Sequence, residues 1–240
     1  MKIIKLSAID STNDFLKKIV QETAVESGTV VQANYQTKGR GQLQNTWQSE
    51  ADKNLLFSVL YKFDDLKITH RFYLNKVVAI AVSTVLKQYI PNVKIKWPND
   101  IMALNNKIAG ILIENIFNGE QISQAIIGVG LNVNQVKFDN LPKATSLKLL
   151  LKKDLDIDFI LLEILDALEK MLDLLYQKYF STIDKMYFTN LYRYQKPSMY
   201  HDKNGFFMAK IIGVKQSGLL QMELEDESIR LFNLKEIQFL

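Results

Sequence analysis

Apolar residues change their spacing several times along the first half of the chain, and each change marks an element. Lys2 to Leu6 is a short apolar-rich run that predicts a strand. Ser11 followed three residues later by Asp14 fits a capping box, and Phe15, Leu16, Ile19 and Val20 then form one helical stripe. Thr29 to Gln36 is rich in β-branched residues and predicts a strand; a polar, glycine-bearing loop, Thr37 to Lys53, separates it from another near Asn54 to Tyr61. From Arg71 to Ile90 the pattern is that of a buried helix, stopped at Pro91.

Residues 93 to 133 predict three or four strands in succession, among them Val93 to Trp97, Lys107 to Phe117 and Gln121 to Val133. Asn118-Gly119 is the strongest hairpin signal, because both residue types tolerate positive φ. A long amphipathic helix follows from Asp158 to Phe180, burying Ile160, Leu161, Ile164, Leu165, Leu168, Leu172 and Leu175. Beyond Pro197 short strands alternate with turns at Asn204-Gly205, Ser217-Gly218 and Asp226-Glu227-Ser228, the spacing of a small, SH3-like β-barrel. The expected fold class is therefore α+β, a mostly antiparallel sheet flanked by helices, with a main domain over 1–190 and a small barrel over 191–240.

Composition narrows the chemistry. The chain has 240 residues, enough for a substantial core without staples, and no cysteine, which removes disulfides, thiolate metal sites and a thiol nucleophile. Its two histidines, His70 and His201, are far apart, so a histidine metal cluster is not expected. A net charge of +4 suits anionic ligands but does not argue for nucleic acid. The N-terminus has no apolar leader, and the longest nearly uncharged stretch of the first half, Val77 to Leu86, is too short to span a bilayer, so a cytoplasmic protein without membrane partners is expected.

Three segments place glycine beside strands with polar or charged neighbours, and each has a plain structural reading next to a functional one. Gln36-Thr37-Lys38-Gly39-Arg40-Gly41-Gln42, with Trp47 close behind, is either a flexible connection or a loop that wraps an anion with backbone N–H groups and a guanidinium. Its spacing matches neither a Walker A loop nor a dinucleotide fingerprint. In Lys96-Trp97-Pro98-Asn99-Asp100 the tryptophan is either a core aromatic or a nucleobase shelf. Lys107 opens an apolar strand, and Gly110 three residues on removes bulk beside it, which hints at a pocket with an ammonium at its mouth. Gly128-Val129-Gly130-Leu131-Asn132 repeats the device on another strand, or is simply a glycine bulge. Asp10-Ser11-Thr12-Asn13 is explained by helix capping, yet also offers hydroxyls and free N–H groups to a small polar head group.

Taken in order, Ser11-Thr12-Asn13, Gln36 to Trp47, Lys96-Trp97-Pro98-Asn99-Asp100, Lys107 to Glu114, Gly128 to Asn134 and Ala144-Thr145-Ser146-Leu147 resemble the biotin–protein ligase family, in its short form without an N-terminal DNA-binding domain. The resemblance spans about residues 10 to 150, and the C-terminal β-unit fits the same layout. It implies activation of biotin by ATP to biotinyl-5′-adenylate, with Mg²⁺, and transfer to a lysine of a carboxylase's biotin carboxyl carrier domain. It also implies roles by position. Ser11, Thr12, Asn13 and Gln36 would hold the biotin head group, with Gly110 and Gly128 beside its ring and chain, and Arg40, Gly41 and Gln42 would belong to the loop that closes over it. Lys107 would contact the carboxylate and the acyl phosphate, and Asp100 would orient Lys107 or the acceptor amine. Trp47, Asn99 and Asn132 would lie on the adenosine side and Lys96 near phosphate. One stretch departs from the pattern: Gln42-Leu43-Gln44-Asn45 stands where many relatives carry arginine or glycine. DNA binding is not expected, and a homodimer is open. Two rivals remain, a lipoate or octanoate ligase or transferase on the same scaffold, and a non-catalytic anion-binding module.

Overall fold

The computed structural model describes residues 1–240, the side chain of Gln44 excepted. The chain opens with strand β1 (Lys2–Leu6), helix α1 (Thr12–Glu22), β2 (Thr29–Ala33) and β3 (Asn54–Lys62). Helix α2 (Arg71–Tyr89) leads to β4 (Val93–Lys96), β5 (Asp100–Ala103), β6 (Asn106–Asn118) and β7 (Gln121–Asn132). These strands form one seven-stranded sheet in the order β1-β2-β3-β7-β6-β5-β4. Only β1 and β2 run parallel; every other neighbour is antiparallel, as the sequence pattern implies.

Alternation along the central strands assigns the two faces. Val30, Phe57, Val59, Ile111, Ile127 and Val129 belong to the large core under α2. Val31, Leu60 and Ile126 pack instead with Leu16 of α1 on the opposite face. Helix α2 is apolar nearly all round, with every residue from Lys76 to Ser83 buried, because it lies between the sheet and the later helices α4 (Ile157–Tyr176) and α5 (Phe180–Asn190). The stripe expected on the long helix is the buried side of α4, but that helix ends at Tyr176. The single turn α3 (Leu147–Leu151) and α5 lie outside the expected elements, while β5 is the fourth of the three or four strands expected over 93–133, the one that the pattern does not delimit.

The β6–β7 hairpin forms where it was expected. Its loop is Gly119-Glu120, because Asn118 pairs with Gln121, and of the loop residues Gly119 alone takes positive φ. Ser11 does cap α1 by accepting the Asp14 N–H, but the Asp14 carboxylate turns to Arg40 rather than back to the cap.

From Pro197 the chain builds a second, antiparallel sheet: β8 (Pro197–Asp202), β9 (Gly205–Val214), β10 (Leu220–Leu224), β11 (Ile229–Phe232) and β12 (Gln238–Phe239). Its order is β11-β10-β9-β8-β12. Among the described residues no ladder joins β11 to β12, so the closed barrel expected from turn spacing is an open sheet; the two short end strands pair at opposite edges. The large core under α2 continues without a break into the second sheet, from Phe57 and Leu86 through Ile95 to Ile211 and Leu220. No described helix is long and apolar enough to cross a membrane.

Candidate active site

On the α1 face of the sheet, small residues leave the central strands bare. Gly110 and Gly130 stand directly opposite each other on β6 and β7, and Gly128 is paired with both Leu112 and Ser58. Their openness is used. A methyl group on Gly130 would come within 2.5 Å of the Trp47 indole, and one on Gly128 within 2.2 Å of Asn13 Oδ1. Gly110 clears space for both the indole, at 3.1 Å, and the Lys107 side chain, at 3.4 Å. The glycines expected to lie directly against a ligand's ring and chain thus seat the protein's own Trp47 and Asn13.

Asn13 and its neighbours build a polar end to this bare patch. Ser58, fully buried on β3, lies 2.5 Å from Asn13 Oδ1 and 2.7 Å from Thr12 Oγ1. Its single proton goes to the amide oxygen, which cannot donate. Thr12 gives its N–H to Gln36 Oε1 at 2.8 Å, and its hydroxyl, with one proton to give, stands between Ser58 Oγ at 2.7 Å and Gln36 Oε1 at 3.1 Å. Asn13 Nδ2 donates to Glu114 Oε2 at 2.9 Å. Glu114 in turn accepts from Arg40 Nη2 at 3.0 Å, and the other arm of Arg40 is paired with Asp14. The guanidinium therefore ties the glycine-bearing loop to both α1 and β6.

That loop is folded as a tight hairpin: Trp47 N–H donates to Gly39 O at 2.9 Å and Gly41 N–H to Asn45 O at 2.7 Å. A side chain at Gly39 would collide with the Trp47 carbonyl at 2.4 Å, so only glycine fits the close approach. At its base Asp10 accepts from Thr37 at 2.5 Å and Lys38 at 2.9 Å, and these bonds hold its carboxyl below the usual range.

Lys107 sits at the centre of the site. Its backbone is clamped on both sides, donating to Lys143 O at 2.7 Å and accepting from Thr145 N–H at 2.9 Å. The ammonium is 2.6 Å from Asp100 Oδ1 and 5.6 Å from the centre of the Trp47 ring. Asp100 lies opposite Gly110 on one side and Lys96 on the other. Burial lowers the Lys96 pKa, with Lys107, Lys143 and Arg193 pushing the same way and Asp100 opposing.

Two cavities meet at this point. The first, about 210 Å³, runs from Ser11, Thr12, Asn13 and Gln36 past Arg40, Gly41 and Gln42 to Asn99, Gly110 and Gly128. The second, about 410 Å³, is lined by Lys96, Met102, Asn132, Phe138, Leu141 and Pro142. Thr46, Trp47, Asp100 and Lys107 form a wall common to both. Asn132 faces the second cavity, donates to Thr145 O at 2.9 Å, and keeps its buried Oδ1 without a partner. Asn99 lies on the first cavity and not the second, with its amide donated to Ile111 O at 2.6 Å. Trp97 is a core residue, 4% exposed, with its indole N–H donated to Gly218 O at 2.9 Å.

The sequence model of the biotin/lipoate A/B protein ligase family matches residues 6–132, more than half of the chain and the whole of the strand framework around both cavities. The chain belongs to this family. Among curated members, the bifunctional ligase/repressor BirA of Bacillus spizizenii is 29% identical over 93% of this chain, which spans 70% of that protein. The biotin–[acetyl-CoA-carboxylase] ligase of Mycobacterium tuberculosis is 33% identical over 57% of this chain and 51% of its own length. Among solved structures, the biotin protein ligase of Aquifex aeolicus in complex with biotin and ATP superposes with a TM-score of 0.80 at 28% identity, covering 99% of this chain and 97% of that one.

Within this family fold, every residue given a role by position lines one cavity or the other, whereas Trp97, weighed as a nucleobase shelf, lines neither. Several that shape the site were not anticipated. Ser58 interrupts an otherwise apolar run, Leu55 to Leu60, and that one polar member was a readable signal. Glu114 was named only as the end of a motif, and nothing local marks it as the partner of Asn13 and Arg40. Leu234 and Lys235 reach the first cavity from the C-terminal sheet, which no sequence pattern foretells. No group of three histidine, aspartate or glutamate side chains able to cage a metal occurs among the described residues.

Proposed function

We propose that this chain is an ATP-dependent biotin–protein ligase that makes biotinyl-5′-adenylate and transfers the biotinyl group to a lysine of a biotin carboxyl carrier domain. The observation that carries this reading is the junction of two cavities at Lys107, one closed by hydrogen-bonding side chains and the other mostly apolar. Such a junction lets two substrates meet at one cation, so positioning and electrostatics supply most of the acceleration.

In the first step a biotin carboxylate oxygen bonds to the α-phosphorus of ATP as the bond to the β-phosphate oxygen breaks, and pyrophosphate leaves. In the second the acceptor amine bonds to the acyl carbon, the bond to the phosphate oxygen breaks, and AMP leaves. Ser11, Thr12, Asn13 and Gln36, joined by Ser58, receive the ureido head, whose carbonyl needs donors and whose two N–H groups need acceptors. Lys107 neutralises the carboxylate and then the acyl phosphate, while Asp100 holds its ammonium at the junction before substrate arrives. Arg40 keeps the loop of Gly41 and Gln42 over the first cavity. Trp47, Lys96 and Asn132 serve the nucleotide, with the free Asn132 Oδ1 able to accept from an exocyclic amine; Asn99 shapes the junction through its bond to Ile111 O.

For Mg²⁺, the acid at the junction is Asp100, and it is paired with Lys107, so the residues suit an ion that arrives on the ATP phosphates rather than one held in a protein cage. When bound, the ion screens phosphate charge. Lipoate and octanoate fit less well: neither has a polar head to satisfy the buried hydroxyls and amides at the end of the first cavity, and unpaired buried polar groups are costly. We take residues 1–190 as the catalytic unit and 191–240 as its C-terminal partner.

The test is pyrophosphate–ATP exchange with biotin, lipoate or octanoate supplied separately. Exchange with biotin alone is the expected result. Exchange with lipoate alone would overturn the head-group assignment, and none from folded protein would favour a binding module.

A further inference from the structure

Asn13 is 3% exposed, and both ends of its amide have partners. Oδ1 accepts from Ser58 Oγ at 2.5 Å, and Nδ2 donates to Glu114 Oε2 at 2.9 Å, with Leu112 O farther off at 3.4 Å. The two ends of an amide have nearly the same shape, so the partners alone decide which end faces the cavity. Ser58 decides nothing, because a hydroxyl can donate to an oxygen or accept from a nitrogen. Leu112 O stands at the margin of hydrogen-bond distance. Glu114 is the decisive neighbour: a carboxylate accepts only, and it would repel an amide oxygen turned towards it.

Glu114 is itself held from behind. Its other oxygen, Oε1, accepts from Arg40 Nη2 at 3.0 Å and lies 3.8 Å from Lys17 Nζ, which leaves Oε2 to Asn13. On the other side of the amide, Oδ1 lies over the bare backbone of Gly128, 2.2 Å from where a methyl group would stand. Gly128 lines the first cavity and Glu114 lines neither. Ser58 uses one lone pair of Oδ1, and the second is turned to the cavity as an acceptor.

We propose that Glu114 is a positioning residue that sets the polarity of the head-group site. It locks the Asn13 amide with its oxygen towards the ligand, so the site selects an N–H donor such as the two that a cyclic urea carries. The proposal rests on the ligase reading for the identity of the ligand. Glu114 acts only through Asn13 here, and its contact with Arg40 is a separate duty towards the loop.

The experiment is calorimetric titration of the full chain with biotin and with its two oxazolidinone analogues, in which one ureido N–H or the other is replaced by oxygen. It is run on the natural protein and on its Glu114→Gln and Arg40→Ala variants. The replacement keeps the shape of the ring and sets a lone pair against Oδ1. The natural protein is expected to bind at least one analogue about tenfold or more weakly than biotin. In Glu114→Gln the new amide can donate to Asn13, the Asn13 amide can turn, and that preference is expected to shrink to about twofold or less. Arg40→Ala leaves the carboxylate on Asn13 and is expected to weaken all three ligands together with the preference kept. A preference absent from the natural protein, undiminished in Glu114→Gln, or lost equally in Arg40→Ala would overturn the proposal. Because the readout is a ratio of affinities, a variant that folds only in part does not disturb it. A natural protein that does not bind biotin would sink the ligase reading and this proposal together, whereas biotin binding with an unmoved preference would sink Glu114 alone.

Discussion

Gly128 carries no chemistry, yet its missing side chain decides where Asn13 can stand. Alanine there would put a methyl group 2.2 Å from Asn13 Oδ1, so the amide must leave both Ser58 and Glu114. Gly128→Ala should weaken biotin binding about tenfold or more, the scale of a lost buried hydrogen-bonded group, and should lower the melting temperature as well, because buried Ser58 loses its acceptor. Titration calorimetry would show it, and full affinity would mean that Asn13 is not part of the head-group site. Lys107→Ala, removing a preorganised cation, should reduce biotin-dependent exchange by roughly 10²-fold or more. Unchanged turnover in a folded variant would take Lys107 out of the reaction. At this scale the sequence was informative where one residue type has few uses: lysine in a strand-opening turn, glycines in an apolar strand. It was silent on Glu114, because a carboxylate two thirds along a strand looks the same whether it meets solvent or Asn13 and Arg40.

Elements built on local periodicity were the legible ones. The apolar period yields α1, α2 and α4 and the long β6–β7 hairpin, whereas β5 is legible only as a fourth strand without bounds, since four residues close behind a proline carry too little pattern to separate a strand from a turn. The extra helix α5 is likewise concealed: the run expected as one helix to Phe180 breaks at Gln177 and restarts at Phe180. The loop from Gly39 to Trp47 is an element in its own right, held by its internal hairpin bonds and by the guanidinium across Asp14 and Glu114. Arg40→Ala should therefore free the loop and speed dissociation of biotin and the adenylate by about tenfold, the value of a charge-assisted contact, with a smaller effect on the chemical step. Stopped-flow release of the adenylate measures this, and dissociation at the natural rate would show that the loop is held by its backbone alone.

Across the whole molecule the two sheets are locked through the turn at Ser217-Gly218. Gly218, at φ of 96°, lies against Phe72 of α2, and its carbonyl takes the Trp97 indole N–H. Gly218→Ala strains a left-handed backbone and places a methyl group 2.9 Å from the Phe72 ring, which should cost about 1–2 kcal/mol. For a chain of this size that is a fall in melting temperature of roughly 2–8 °C. A change of less than a degree in a thermal scan would mean that the turn does not fasten the sheets. A change of pattern near Pro197 is visible in the sequence, but the shared core is not, because packing between distant segments leaves no local period. The two tryptophans happen to divide this architecture between them: Trp97 is buried at the seam of the sheets, and Trp47 forms the wall between the cavities. Intrinsic fluorescence therefore contains two emitters with separate duties, and a Trp97→Phe protein would turn the remaining signal into a direct optical record of what enters either cavity.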